Sequence, residues 1–180
     1  RHGISALDLE EVAVPARLRS AHADELFDFL AERALDFARR VGWDAALRGP
    51  PVFGLCFSFP ISQAEHPDKP SRGTLLRWAK GFSCEGGVGC EPSACLEAAA
   101  RRVAARERGG AGAGAGAGEG GRGGRGATLL GIGDPSPPPL VVAALANDTV
   151  ATLAAARYED GGDAAMSLVL HQGTNAAYVE

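Results

Sequence analysis

No run of about twenty apolar residues occurs in this chain of 180 residues, so no membrane-spanning helix is expected. The first residues, R-H-G-I-S-A-L-D, lack the apolar stretch of a signal peptide. Methionine is nearly missing. Met166 is the only one, and the chain opens on Arg1, so it reads as a piece of a longer protein. Cysteine is sparse as well. Cys56, Cys84, Cys90 and Cys95 contain no C-x-x-C pair, the spacing of a structural zinc site or redox motif. A metal site can be drawn from Cys84, Cys90, Cys95 and His66, but reduced thiols in a cytosolic-type compartment are the plainer reading, and no metal is assigned. Charge of one sign is also lacking. A net charge of −4 argues for neither a nucleic-acid partner nor an anionic membrane surface.

What is present is an ordinary globular composition, 46% hydrophobic and 22% charged, long enough for one domain with a real core. Residues 23–41 have a helical period that sets Phe27, Leu30, Ala34, Phe37 and Val41 on one stripe. Asp24 and Glu25 near the start and Arg39 and Arg40 near the end suit the helix dipole, and Gly42 offers a stop. Residues 51–60, P-V-F-G-L-C-F-S-F-P, read as a strand closed by proline. Residues 61–73 form a polar loop with two prolines, order resumes over 74–82, and the Ala- and Arg-rich segment 92–108 reads as helix.

Residues 109–126 differ. Eleven of the eighteen are Gly and four are Ala, too little apolar surface to offset the entropy of ordering. They are expected to form a flexible surface insertion. Its end, G-G-R-G-G-R-G, resembles an Arg-Gly RNA-binding tract, but two arginines supply little phosphate affinity and no nucleic-acid partner is assigned.

Near the C-terminal end, 140–146 is an apolar, partly β-branched run that fits a strand buried on both faces. It meets Asn147 and Asp148 directly, and 149–158 favours helix. Either polar residue could cap that helix. Polar groups at the carboxyl end of a parallel strand also sit where α/β proteins bind ligands. Three stretches place polar groups among residues that look buried: F-S-F-P at 57–60, R-W-A-K-G-F at 77–82 and N-D-T-V at 147–150. Ser58 offers a hydroxyl, Lys80 a cation, Asn147 an amide and Asp148 a carboxylate. A sugar needs such a lining, because its hydroxyls require donors and acceptors in fixed positions.

F-G-L-C-F-S-F-P followed by G-T-L-L-R-W-A-K-G-F resembles the sugar-binding signature of the eukaryotic hexokinases, with the plant and algal branch nearest. V-V-A-A-L-A-N-D-T-V-A-T-L is similar to that family's segment carrying the catalytic aspartate. G-T-N-A-A-Y-V-E at 173–180 resembles the end of its second phosphate-contact turn, and E-L-F-D-F-L-A its early helix. The resemblance implies an α/β chain of the actin-like ATPase (ribonuclease H-like) fold, with a mixed sheet flanked by helices. It also implies a fragment of a two-domain protein. Residues 1–162 would be the smaller domain, and 163–180 the start of the larger.

Carried over by position, the resemblance implies Asp148 as general base for the 6-hydroxyl of glucose and related hexoses. Ser58, Lys80, Asn147 and Asn175 would meet the sugar, and Gly173 and Thr174 the nucleotide phosphates, with ATP and Mg²⁺ required. It implies a cytosolic enzyme of the first step of glycolysis. Two positions depart from the family pattern. Ala79 replaces a threonine, and His171-Gln172-Gly173 replaces a glycine-threonine-glycine turn whose first glycine permits close approach to phosphate. These departures support an alternative, a catalytically impaired hexokinase-like glucose sensor. The family's first phosphate motif is expected before Arg1, and two sugar-binding glutamates and the adenosine site after Glu180, so the 180 residues alone are expected to be inactive.

Overall fold

Two long helices are joined by buried small residues and by charge, and strand pairs lie beside them. The computed structural model describes residues 8–64, 68–111, 138–170 and 174–179. A single 3-10 turn, Ala16–Arg19, precedes α1, Ala23–Arg40. His22 caps α1, its Nδ1 accepting from the Asp24 N–H at 3.2 Å. The capping Val41 and then Gly42, at φ +72°, turn the chain away. The buried face of α1 is rotated from the stripe that periodicity suggests. Ala23, Leu26, Phe27, Ala31, Leu35 and Ala38 are the buried apolar residues, whereas Val41 is 41% exposed. The reason is the partner. Helix α3, Pro92–Ala111, brings Leu96, Ala99, Ala100 and Val103 into the same core, and small residues on both sides let the axes approach. Leu30, Ala34 and Phe37 instead border a shallow groove with Val12, Val14 and Phe53.

The α1–α3 seam also holds a buried carboxylate. Asp28 is 9% exposed and accepts from Arg102 Nε at 2.8 Å and from Arg106 at 2.5 Å. Farther along, Arg39 meets Glu107 at 2.6 Å. Helix α3 starts on Pro92, whose missing N–H costs nothing there. It runs through Gly109 and Gly110 to Ala111, past the expected end at Arg108. Propagation adds one hydrogen bond per residue, so an established helix can extend into glycines at about 1 kcal/mol each. The rest of the expected insertion, with its Arg-Gly tract, lies outside the described residues, as does His66.

A short helix α2, Ala45–Arg48, is capped by Asp44 and leads into β1, Val52–Cys56. Strand β1 pairs in parallel with β4, Val141–Ala146. The ladder skips a residue between Phe53↔Val142 and Gly54↔Ala144, leaving Ala143 as a bulge. The bulge explains why Val142 and Leu145, three apart, are both buried while Ala143 and Ala144 between them are exposed. Strand β4 is therefore covered on one face rather than both. Among the described residues, the helices shield one side of the β1–β4 pair, and Val52 is 61% exposed.

Within the expected polar loop, β2, Ile61–Ser62, pairs antiparallel with β3, Thr74–Leu75. Gln63 pins this hairpin to β4, donating to Arg72 O at 3.0 Å and Leu145 O at 3.2 Å. Helix α4, Asp148–Asp160, ends on the left-handed Gly161. It packs on an antiparallel pair, β5, Met166–Leu170, and β6, Thr174–Tyr178.

Truncating Asp28 leaves two guanidinium groups without their shared acceptor. Asp28→Ala is expected to lower stability by about 2 kcal/mol in equilibrium urea unfolding. Asp36→Ala removes only exposed pairs with Arg33 and Arg39 and is expected to cost less than about 1 kcal/mol.

Candidate functional site

Strands β1 and β4 end level. Cys56 stands opposite Ala146, and the Phe57 N–H donates to Ala146 O at 2.8 Å. Residues leaving the two carboxyl ends therefore emerge side by side, Ser58 from one and Asn147 with Asp148 from the other. Asn147 is the helix cap. Its Oδ1 accepts from the Val150 N–H at 2.8 Å. With that duty met by Asn147, Asp148 sits in the first helical turn with its carboxylate available.

The third wall is a tight turn. The Phe82 N–H donates to Ala79 O at 3.0 Å, with Lys80 at φ +55° and Gly81 at φ +80° between them. Positive φ at both central positions is the type I′ pattern, in which a lysine is uncommon. Such strain persists only where the surroundings impose it. Here the surroundings are aromatic. Phe59 lies edge-on to Trp78 at 5.0 Å and to Phe82 at 5.3 Å, and Phe57 stands 4.8 Å from Phe59. Gly87 closes on the indole so tightly that a Cβ there would lie 2.5 Å from Trp78. The turn is thus clamped from both sides, and Lys80 is held facing the strand ends. Val169, Thr174 and Asn175 from the β5–β6 pair supply the last wall.

The cleft so formed encloses about 270 Å³, with Phe59, Pro60 and Ala79 completing its lining. That is near the lower limit of ligand pockets, about 300 Å³, and suits one small polar molecule. Lys80 Nζ lies 3.2 Å from Asp148 Oδ2. Asp148 Oδ1 accepts from the Thr149 N–H at 2.9 Å, with the Thr149 hydroxyl 3.3 Å away. The two carboxylate oxygens are therefore unlike. Oδ1 is engaged by its own helix turn, while Oδ2 is shared with a side chain that can move. Burial pushes the Asp148 carboxyl up, but the Lys80 ammonium, the Thr149 N–H and the Ser58 hydroxyl outweigh it and hold it below the usual carboxylate range. The group is ionised at neutral pH. Burial pushes the Cys56 thiol up, against the Ser58 hydroxyl.

Six of the seven residues singled out from the sequence, Ser58, Lys80, Asn147, Asp148, Thr174 and Asn175, meet at this cleft. Gly173 and the neighbouring His171 and Gln172 lie outside the described residues. Sequence reasoning missed Phe59, Pro60 and Val169 as lining. The first two stand inside the quoted F-S-F-P, and Val169 falls on the inward phase of β5. Among the described residues no cluster of three metal-ligating side chains occurs. Cys84 is buried, its thiol directed to Leu18 O at 3.3 Å.

A hexokinase from Schistosoma mansoni complexed with glucose matches the chain with a TM-score of 0.64 and 28% identity, over 94% of this chain and 29% of that one. The mixed α/β architecture is that of the actin-like ATPases. The family model described as Hexokinase matches residues 3–158. Hexokinase-1 of Arabidopsis thaliana is 34% identical over 175 residues, covering 96% of this chain. Hexokinase-2, chloroplastic, of Nicotiana tabacum is 34% identical over 179 residues, covering 98%. The chain belongs to the hexokinase family. It spans 28% of the length of each of these two relatives.

The pairing with Lys80 predicts a measurable titration. In a ¹³C-detected NMR titration the Asp148 carboxyl is expected to titrate below about pH 3.9, the ordinary aspartate value. In Lys80→Met the largest opposing influence on burial is gone, and the midpoint is expected to move upward.

Proposed function

We propose that the protein is a hexokinase, transferring the terminal phosphoryl group of ATP to the 6-hydroxyl of glucose and related hexoses, as in the first step of glycolysis. The observation that carries this reading is the meeting of an ionised Asp148 with Ser58, Lys80, Asn147 and Asn175 in a cleft sized for a small polar molecule. Asp148 is the general base. Ser58, Asn147 and Asn175 hold the sugar hydroxyls, and Lys80 shifts from Oδ2 to a sugar oxygen as the hexose enters. The alcohol oxygen then attacks the terminal phosphorus, the bond from phosphorus to the bridging oxygen breaks, and ADP leaves. The alcohol proton goes to Asp148 Oδ2. A carboxylate held below its usual range is a weak base. It suffices because phosphoryl transfer relies on positioning and charge stabilisation, with the proton lost late. Mg²⁺ would arrive with ATP, and Thr174, with Gly173, would face the phosphates.

The chain spans 28% of its relatives' length, so this activity is a property of the longer protein. Residues 1–162 are read as its smaller domain and 163–180 as the start of the larger. The four cysteines free of disulfides suit a reducing compartment, the cytosol in this reading, although two relatives are named chloroplastic.

A second reading rests on Ala79. A methyl group lines the cleft where a hydroxyl would have met the sugar, at an order of 1 kcal/mol per lost hydrogen bond. The protein would then bind glucose as a sensor without turning it over. Enzyme assay and calorimetry on the full-length protein separate the two. Hexose 6-phosphate formation with kcat reduced about 10³-fold in Asp148→Ala, and glucose still bound, is the expected result. An alanine variant that keeps most of the activity removes Asp148 as base. Glucose binding with no turnover in the wild type favours the sensor.

A further inference from the structure

Within the run M-S-L-V-L of β5, Ser167 is the one polar side chain, and it is buried. The strand's alternation exposes Met166, Leu168 and Leu170 and turns Ser167 and Val169 inward. Val169 reaches the cleft. Ser167 lies beneath the first turn of α4, where its hydroxyl donates to Thr149 O at 2.7 Å. A buried hydroxyl costs stability unless it is bonded, so this contact is specific. Thr149 is fully buried, and it is also the residue whose N–H and hydroxyl face Asp148 Oδ1. One residue therefore has its carbonyl held by β5 while its N–H and hydroxyl hold the carboxylate. Thr174 and Asn175 follow β5 through the antiparallel pairing, so the same contact fixes their wall to the Asp148 turn.

We propose that Ser167 is a positioning residue for the phosphoryl-transfer step: through Thr149 it sets the Asp148 carboxylate relative to the β5–β6 wall of the cleft. The inference rests on the reading of Asp148 as general base. Ser167 stands outside the ten residues that line the cleft and would touch neither sugar nor nucleotide. Displacing a catalytic group by about 1 Å can cost on the order of 100-fold in rate, so one hydroxyl behind the helix turn can matter.

Steady-state kinetics on the full-length protein, with Ser167→Ala and Ser167→Thr, test it. In Ser167→Ala, kcat is expected to fall about tenfold while the glucose KM and calorimetric Kd rise by less than about threefold, because, of the sugar-holding residues, only Asn175 follows β5, and Ser58, Lys80 and Asn147 sit on other elements. The acid limb of kcat/KM is expected to move to higher pH, since a looser Thr149 holds the ionised carboxylate less well. Ser167→Thr keeps the hydroxyl and is expected to recover most of the rate. Amide exchange at residues 150–153 should quicken in the alanine variant and return in the threonine variant. The inference is overturned if Ser167→Ala keeps kcat within twofold, or if rate, glucose affinity and thermal midpoint fall together with no change in the pH profile. Absence of hexose phosphorylation by the wild type overturns the kinase reading and this inference with it. Phosphorylation that survives unchanged in Ser167→Ala overturns this inference alone.

Discussion

The parallel pairing of β1 with β4 is the constraint from which the cleft follows. Because Cys56 and Ala146 are register partners, the chain leaves both strands at one level. Ser58 and the Asn147–Asp148 pair then face a common space without any long-range loop to hold them there. An antiparallel pairing would have sent the two ends in opposite directions. The helices serve this pairing. Leu145, Val142 and Phe57 share one core with α1 and α3, and the charges around Asp28 fasten those helices to each other.

Charge at the cleft is arranged in two tiers. Asn147 takes the capping duty that a lone aspartate would otherwise perform, which leaves Oδ2 of Asp148 outside the hydrogen bonding of its own helix turn. Lys80 neutralises that oxygen, so the negative charge is not stranded where burial disfavours it. The backbone strain at Lys80 is the counterpart of this arrangement. The I′ turn carries Lys80 to the strand ends, where its ammonium lies 3.2 Å from Asp148 Oδ2. The cluster of Phe57, Phe59, Trp78 and Phe82 holds the turn closed.

Much of this was legible in the residues. The apolar run meeting Asn147 and Asp148 announced a strand-to-helix junction, and the polar residues in F-S-F-P and R-W-A-K-G-F announced partners for it. The buried side of α1 was less legible. Periodicity finds a helix but not which of two adjacent faces is covered, and Ala31 and Ala38 won because α3 offered Ala99 and Ala100. The single covered face of β4 escaped notice because hydrophobicity measures tolerance of burial, not burial itself. Composition ends α3 at Arg108, because glycines favour disorder, whereas cooperative propagation from an established helix carries it to Ala111. Ser167 could not be found from sequence at all. A serine within an apolar strand has meaning only once Thr149 is seen above it.

The extra residue at Ala143 has a consequence for how such a protein can change over time. Up to Val142 and beyond Ala144 the strand alternates normally, and the bulge supplies the phase change that turns Leu145 inward. Losing Ala143 would tidy the ladder and leave Ala144 opposite Gly54 and Leu145 opposite Leu55, so the downstream strand keeps its facing, whereas losing a residue beyond Ala144 would rotate the junction by half a pleat and swing the acid away from its lysine. Length can therefore change at the bulge itself, while the spacing from Ala144 to Asp148 is closed to drift.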